Sequence, residues 1–422
     1  MNAGDRVHVE RGGDTFEGVL LPSSTKDHLV VKLESGYNVG IDRAAADVDA
    51  LENDVYDVEE ATTDTGVSQI EFDEDLPRVS LISTGGTIAS TVDYRTGAVT
   101  AQFDAEDVLR AVPDLAGLAN YRGRVVTNIL SENMTPAVWQ DLAAAVHEEI
   151  EAGADGVVVM HGTDTMQFSA SALAFMLDTP VPIVFTGSQR SADRPSSDNV
   201  MNAVCAVAAA TSDCAEVLVC MHESEADDAC ALHRGTRVRK NHTSRRDAFE
   251  TVGAKPVGRV AYDPADGTEV SFRREHEPRV LEERREEVLA RHLDLETDVA
   301  LLKFTPGTDR DRLRALADSA GLVLEGTGLG HVHTDWIDTV RDVVDGGTPV
   351  VMTSQCIEGR VCDRVYDTGR DLLEAGVIEG EDMLPGTAKV KLMWALANSE
   401  SVNETMGTSI AGEIQDRSAP WT

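Results

Sequence analysis

The stretch Arg78–Ser90, RVSLISTGGTIAS, decides how the rest of this chain is read. A short apolar run, Val79-Ser80-Leu81-Ile82, soon breaks into Gly85-Gly86. A buried strand that ends in a glycine turn is the opening of an α/β unit. Two glycines admit positive φ and leave backbone N–H groups uncovered by side chains. Thr84 and Thr87 flank them, so hydroxyls are held at the carboxyl end of a parallel strand, where open α/β sheets place ligands.

Downstream, strands alternate with helices. A helix is expected over 136–151: Thr135 caps it, Pro136 takes its first turn, and Trp139, Leu142, Val146 and Ile150 form its apolar stripe before Gly153. Gly156–Met160 is a fully apolar strand running into His161-Gly162-Thr163-Asp164-Thr165. A helix over 166–178, a strand over 182–185 ending in Thr186-Gly187-Ser188, an alanine-rich helix over 199–210 and a strand over 215–221 continue the alternation. The pattern predicts a doubly wound parallel sheet. The charged stretch 275–293 reads as a connection that turns helical near Arg279. Beyond it, strands at 299–303, 321–324 and 349–352 and a helix at 387–398 indicate a second α/β domain.

Upstream the texture differs. DRVHVE (5–10), TFEGVLL (15–21) and HLVVKL (28–33) are short strands separated by Gly-rich or Ser-rich turns, the pattern of a small barrel. No catalytic constellation lies there; a structural add-on is one reading, a docking or RNA-facing module the other. Residues 51–76 are acidic and poor in large apolar groups, a linker by composition. The expected fold class is α/β, with a small N-terminal β-barrel-like module (1–52), an acidic linker (53–76), an α/β domain carrying the active site (77–275), a connecting segment (276–297) and a second α/β domain (298–422).

At 422 residues the chain exceeds one typical core. No apolar run is long enough to span a bilayer, and the polar N-terminus has no signal-like core, so a cytoplasmic protein is expected. The six cysteines form no C-x-x-C pair and read as reduced core thiols. With 74 acidic and 37 basic residues, the net charge of −37 is spread over the whole chain. Such a surface repels itself at low salt and suits a halophile, where the Debye length is about 3 Å or less. Under that screening, acidity says nothing against a nucleic-acid partner.

Two strand ends therefore carry threonine beside glycine, T-G-G-T at 84–87 and H-G-T-D-T at 161–165. In a parallel sheet both emerge on one edge. A threonine hydroxyl needs a base to become a nucleophile. Asp164 is too acidic for that task but can orient a lysine. Lys240 is the only lysine in a basic island, RGTRVRKNHTSRR (234–246), and a desolvated lysine can act as a base where arginine cannot. His331 and His333, two residues apart without a carboxylate pattern, read as structural; no metal site is expected.

TGGTIAS, HGTDT and the separated Lys240 resemble the bacterial-type asparaginase/glutaminase family over roughly 78–415. The N-terminal module, RKNHTSRRDAF and GTGLGH (326–331) bring the chain closer to the tRNA-dependent amidotransferases of that family. The resemblance implies two asparaginase-type α/β domains and amide hydrolysis through a threonine nucleophile. It puts that nucleophile on Thr87, the second catalytic threonine on Thr163, and a relay on Asp164 and Lys240. Tyr94 matches a tyrosine on a loop over Thr87. Ser131 and Glu132 match the pair that holds the substrate's α-amino and α-carboxylate groups, with Glu where many free asparaginases have Gln. It implies glutamine as amide donor, Glu-tRNA(Gln) as acceptor and a partner E subunit, with ATP and Mg²⁺ on that partner and no cofactor on this chain. A homodimer within a heterotetramer is expected, and no membrane. The alternatives are a free cytoplasmic asparaginase, against which the N-terminal module counts, and a non-catalytic scaffold, which has no need of all four site residues.

Overall fold

The computed structural model describes residues 5–21, 28–33, 38–53, 73, 75–85, 112–190, 196–263, 267–273, 282–286, 290–362 and 364–416. Most of the acidic stretch 53–76 thus lies outside the described residues, as do Thr87 and Tyr94.

The N-terminal module consists of β1 (Arg6–Arg11), β2 (Asp14–Leu21), β3 (His28–Leu33), β4 (Asn38–Asp42) and β5 (Asp47–Glu52). They form a five-stranded sheet in the order β4-β3-β2-β1-β5, all antiparallel. Alternation along the strands puts Val7, Val9, Leu20, Leu29, Val31 and Ile41 into one small core.

The next domain is built on β6 (Arg78–Ser83), β7 (Asn120–Val125) and β8 (Gly156–Met160). After the two-residue β9 (Leu177–Asp178) come β10 (Ile183–Thr186), β11 (Val217–His222) and β12 (Ala229–Arg234). The small hairpin β13 (Val238–Lys240) and β14 (Phe249–Thr251) precedes β15 (Gly258–Asp263) and β16 (Gly267–Phe272). The eight-stranded sheet runs β16-β15-β12-β11-β10-β8-β6-β7. From β7 to β11 every pairing is parallel. From β11 to β16 every pairing is antiparallel, so the doubly wound parallel sheet expected from sequence covers only part of this one. The reason is loop length. Only residues 223–228 separate β11 from β12, too few for the crossover that a parallel neighbour needs.

Helices α1 (Pro136–Glu151), α2 (Met166–Met176) and α3 (Asn199–Ala210) cover the sheet. The α1 helix starts as its sequence predicts: the Thr135 hydroxyl accepts from the Val138 N–H, Pro136 opens the first turn, and Trp139, Leu142 and Val146 are buried. Residues of α1 and α2 pack on one face of the sheet and those of α3 on the other, giving two separate cores.

The connection is not helical where it is described. Residues 282–286 run without helix, and β17 (Ala290–Arg291) pairs with β9. Long-range bonds override the helical pattern. The Arg285 N–H donates to the Pro180 carbonyl, and the Ala215 N–H donates to the Glu282 carbonyl. The Arg284 N–H donates to the Asp213 carboxylate. A backbone satisfied from outside gains nothing by coiling.

The second α/β domain is a parallel four-stranded sheet, β18 (Val299–Lys303), β19 (Gly321–Gly326), β20 (Val350–Ser354) and β21 (Ile378–Glu379) in that order. Helices α4 (Ile337–Asp345), α5 (Asp367–Glu374) and α6 (Pro385–Asn398) flank it. α6 packs against α2, so the two domains share one core. Two buried ion pairs reinforce the C-terminal side. Arg237 reaches Asp382 at 2.7 Å. Lys391 reaches Glu413 at 2.6 Å, with neither side chain exposed.

Candidate active site

Because β6 pairs with β8 in parallel register, Ser83 opposite Met160, the two threonine motifs leave the sheet side by side. The chain after β6 leads to β7 on one side, and the chain after β8 leads to β10 on the other. The strand order therefore switches direction between them, which opens a crevice at the carboxyl edge. The Thr84 N–H donates to the Met160 carbonyl at 3.1 Å and locks the two motifs together. Gly85 has φ +103°, and a Cβ there would lie 2.6 Å from the Ile129 carbonyl oxygen; only glycine makes this turn.

The second motif is held from beneath. His161 is fully buried between Gly162 and Ser169. The Trp139 indole N–H donates to Ser169 Oγ, so the Ser169 hydroxyl proton is left for His161 Nε2, and His161 Nδ1–H donates to the Gly162 carbonyl. This neutral ring agrees with burial, which pushes the His161 pKa down to about 4. Gly162 lies so close to Ser131 that a Cβ would stand 2.7 Å from the serine Cβ. Ser131 Oγ accepts from the Thr165 N–H at 3.0 Å and lies 2.9 Å from Thr165 Oγ1. That serine hydroxyl thus serves to anchor HGTDT. Glu132 follows it in an exposed position.

Thr163, Asp164 and Lys240 come together although the last two are 76 positions apart in sequence. Lys240 Nζ donates to Thr163 Oγ1 at 2.9 Å and to Asp164 Oδ1 at 2.7 Å. The lysine side chain is only 10% exposed, whereas Asp164 is 66% exposed. Burial of the lysine stem with its head between a hydroxyl and a carboxylate is the arrangement a proton relay needs. Two contacts aim Lys240. Its own N–H is received by Gln167 Oε1 on α2, and its strand pairs with β14 through Phe249. Three residues earlier Arg237 is buried, bonded to Asp382 and to the carbonyls of Val252 and Gly412.

The basic island is buried over 234–238 and exposed over 241–245. Arg234 makes a two-point buried pair with Glu216 at 2.6 and 3.0 Å. Arg245 is taken by Asp247 at 2.8 Å, and Arg246 by Asp227. His331 packs edge-on against Tyr366, and His333 accepts from the Asp335 N–H. Among the described residues no cluster of His, Cys, Asp or Glu is arranged to hold a metal ion. Cys205, Cys214, Cys220 and Cys230 are buried; Cys356 is exposed and Cys362 half-buried.

Sequence reasoning missed Gln167 and the support behind the motif, Gly187 with Asp198 and Asn202. The last two were visible as polar residues four apart, Asp198 at the cap and Asn202 one turn into a largely apolar helix.

Parallel strands carrying two threonine turns at one edge, with a lysine from β13 bridging the threonine and aspartate of the second, define an asparaginase-type protein. Family comparison agrees: residues 78–277 match "Asparaginase, N-terminal", 298–407 match "Glutaminase/Asparaginase C-terminal domain", and 1–51 match "GatD N-terminal domain". Among solved structures, the thermostable L-asparaginase from Thermococcus kodakarensis superposes with a TM-score of 0.71 at 31% identity, covering 81% of this chain and 100% of that one. The D subunit of the glutamyl-tRNA(Gln) amidotransferase of Haloquadratum walsbyi is 67% identical, covering 99% of both chains. Its counterpart in Methanosarcina mazei is 51% identical, covering 98% of both. The chain belongs to the asparaginase family, within the group of glutamyl-tRNA(Gln) amidotransferase D subunits. No helix among the described residues is long and apolar enough to cross a membrane.

Proposed function

We propose that this chain is the glutaminase of a tRNA-dependent amidotransferase. The observation that carries the reading is the bridge from Lys240 Nζ to both Thr163 Oγ1 and Asp164 Oδ1. In the cationic form the ammonium donates to the threonine oxygen. In the neutral form the amine accepts the threonine proton, and Asp164 holds it in place for either direction of transfer. Thr87 attacks the side-chain carbonyl of glutamine, the C–N bond breaks, and ammonia leaves with an acyl-enzyme ester on Thr87. Thr163, Lys240 and Asp164 then activate a water that releases glutamate. Backbone N–H groups of the glycine turn or near Thr163 hold the oxyanion. Ser131 and Glu132 hold the α-amino and α-carboxylate groups, a carboxylate at 132 suiting an ammonium, and Tyr94 closes over Thr87. Ammonia passes to a partner E subunit, which uses ATP and Mg²⁺ to amidate Glu-tRNA(Gln). The similarity to D subunits over the whole length, N-terminal module included, favours this over a free asparaginase.

The test is ammonia release from glutamine at molar salt, with the chain alone and then with its E partner and Glu-tRNA(Gln). A rise confined to the complex is expected. Full activity alone, unmoved by partner or tRNA, would overturn the tRNA-gated reading in favour of a free amidohydrolase. Thr87→Ala, Thr163→Ala and Lys240→Met should each lower turnover at least about 100-fold. Normal turnover in any of them removes that residue from the mechanism.

A further inference from the structure

Behind the threonine motif lies a second row of buried polar groups that the chemistry above does not use. Gly187, at the end of β10, packs against the His161 carbonyl and the Thr163 methyl. Its carbonyl accepts from Asn202 Nδ2 at 2.9 Å, and the same nitrogen donates to Asp198 Oδ2 at 3.0 Å. The Asp198 carboxylate also receives the Ser188 hydroxyl at 2.8 Å and the N–H groups of Gln189 and Arg190 at 2.9 Å each. Asn202 and Asp198 thus hold the whole turn Gly187–Arg190 on which Thr163 leans. Both are fully buried.

Asn202 is itself held by His222, also fully buried. Its Nδ2 faces two acceptors, so the amide has one orientation, and Oδ1 points at His222 Nδ1, 2.6 Å away. That nitrogen has to carry hydrogen. The Cys230 thiol reaches the same oxygen at 3.4 Å. On its other side, His222 Nε2 lies 3.2 Å from Asp227 Oδ1, the carboxylate that pairs with Arg246. The ring therefore stands between two acceptors. An imidazolium satisfies both; a neutral ring satisfies one. Burial lowers the pKa of His222 and Arg246 adds to that, against Asp227 and Asp198, which raise it.

We propose that His222 is a positioning residue of the hydrolytic site: its Nδ1–H, through Asn202, holds the Gly187–Arg190 turn beneath Thr163. The proposal rests on the amide-hydrolysis reading above, and a paired substitution tests it. His222→Asn places an amide nitrogen where Nδ1 was and keeps the donor to Asn202. His222→Gln places it where Nε2 was, facing Asp227, and leaves the Asn202 oxygen only the longer Cys230 thiol contact at 3.4 Å. Both are polar replacements at one site, so each controls for the other's effect on folding. Turnover and KM for glutamine are measured in the partner complex, together with backbone amide exchange of residues 187–190 in the chain alone. The Asn variant should keep kcat within about threefold, while the Gln variant loses about tenfold or more in kcat with KM little changed. The Gln189 and Arg190 amides should exchange faster in the Gln variant only. Variants indistinguishable by both readouts, or an Asn variant poorer than Gln, would overturn the proposal. Should the unaltered complex release no ammonia, the hydrolytic reading fails, and the exchange rates still decide whether His222 holds the turn.

Discussion

Replacing Gly187 by alanine tests the packing on which the site depends. The new Cβ would stand 2.5 Å from the His161 carbonyl oxygen, 2.9 Å from Met166 Cε and 3.1 Å from Thr163 Cγ2. The first of these is about 1 Å inside normal van der Waals contact, and its target is backbone. Met166 can swing its terminal methyl aside, but His161 is fixed by Ser169 and Gly162, so the strain falls on the HGTDT turn. Overpacking of this kind costs about 1–3 kcal/mol. A displacement of Thr163 approaching 1 Å, with its bond to Lys240 only 2.9 Å long, costs on the order of 100-fold in rate. Ammonia release from glutamine by the complex gives the rate, and urea unfolding at molar salt gives the stability. Gly407→Ala is the control, because a Cβ there meets nothing within 4 Å. Turnover of Gly187→Ala within about threefold of the control would refute the claim that this turn sets the position of Thr163.

Other outcomes follow from buried charge and buried histidine. Arg237→Met leaves the buried Asp382 carboxylate with only Arg360, at 3.8 Å, as a cationic partner and should destabilise by up to about 3–5 kcal/mol, read as a lowered urea midpoint. An unchanged midpoint would mean the pair is dispensable. His161 and His233 are each pushed down to about 4 by burial, from an ordinary 6.5. The unfolded chain thus binds more protons between those values. The stabilisation is fully present above about pH 6.5 and lost as the pH falls toward 4, by up to about 3 kcal/mol per histidine. His233→Gln should flatten this acid limb in a series of unfolding midpoints; an unaltered limb would show that His233 does not contribute to it.

Much of this molecule was legible in its residues because the signals are local. The strand before T-G-G-T, the capped helix at 136–151 and the apolar strand before H-G-T-D-T depend on spacing and turn chemistry, and they stand where the pattern puts them. So does the pairing of the two threonine strands, since parallel neighbours bring their carboxyl ends to one edge. Lys240 stood out by residue type, as one lysine among arginines, as a partner for Asp164; its grouping with Thr163 came from the family resemblance, and the three side chains do meet. What sequence could not decide depends on partners far along the chain. The 282–286 segment gives up its helical pattern for bonds to distant carbonyls and carboxylates. The basic island becomes a set of paired guanidiniums because Glu216, Asp382 and Asp227 fold against it. The antiparallel half of the sheet comes from a loop too short to cross over. The support through Gly187, Asn202 and His222 exists only once α3, β10 and β11 pack together, since its geometry is a property of their contact and not of any one of them.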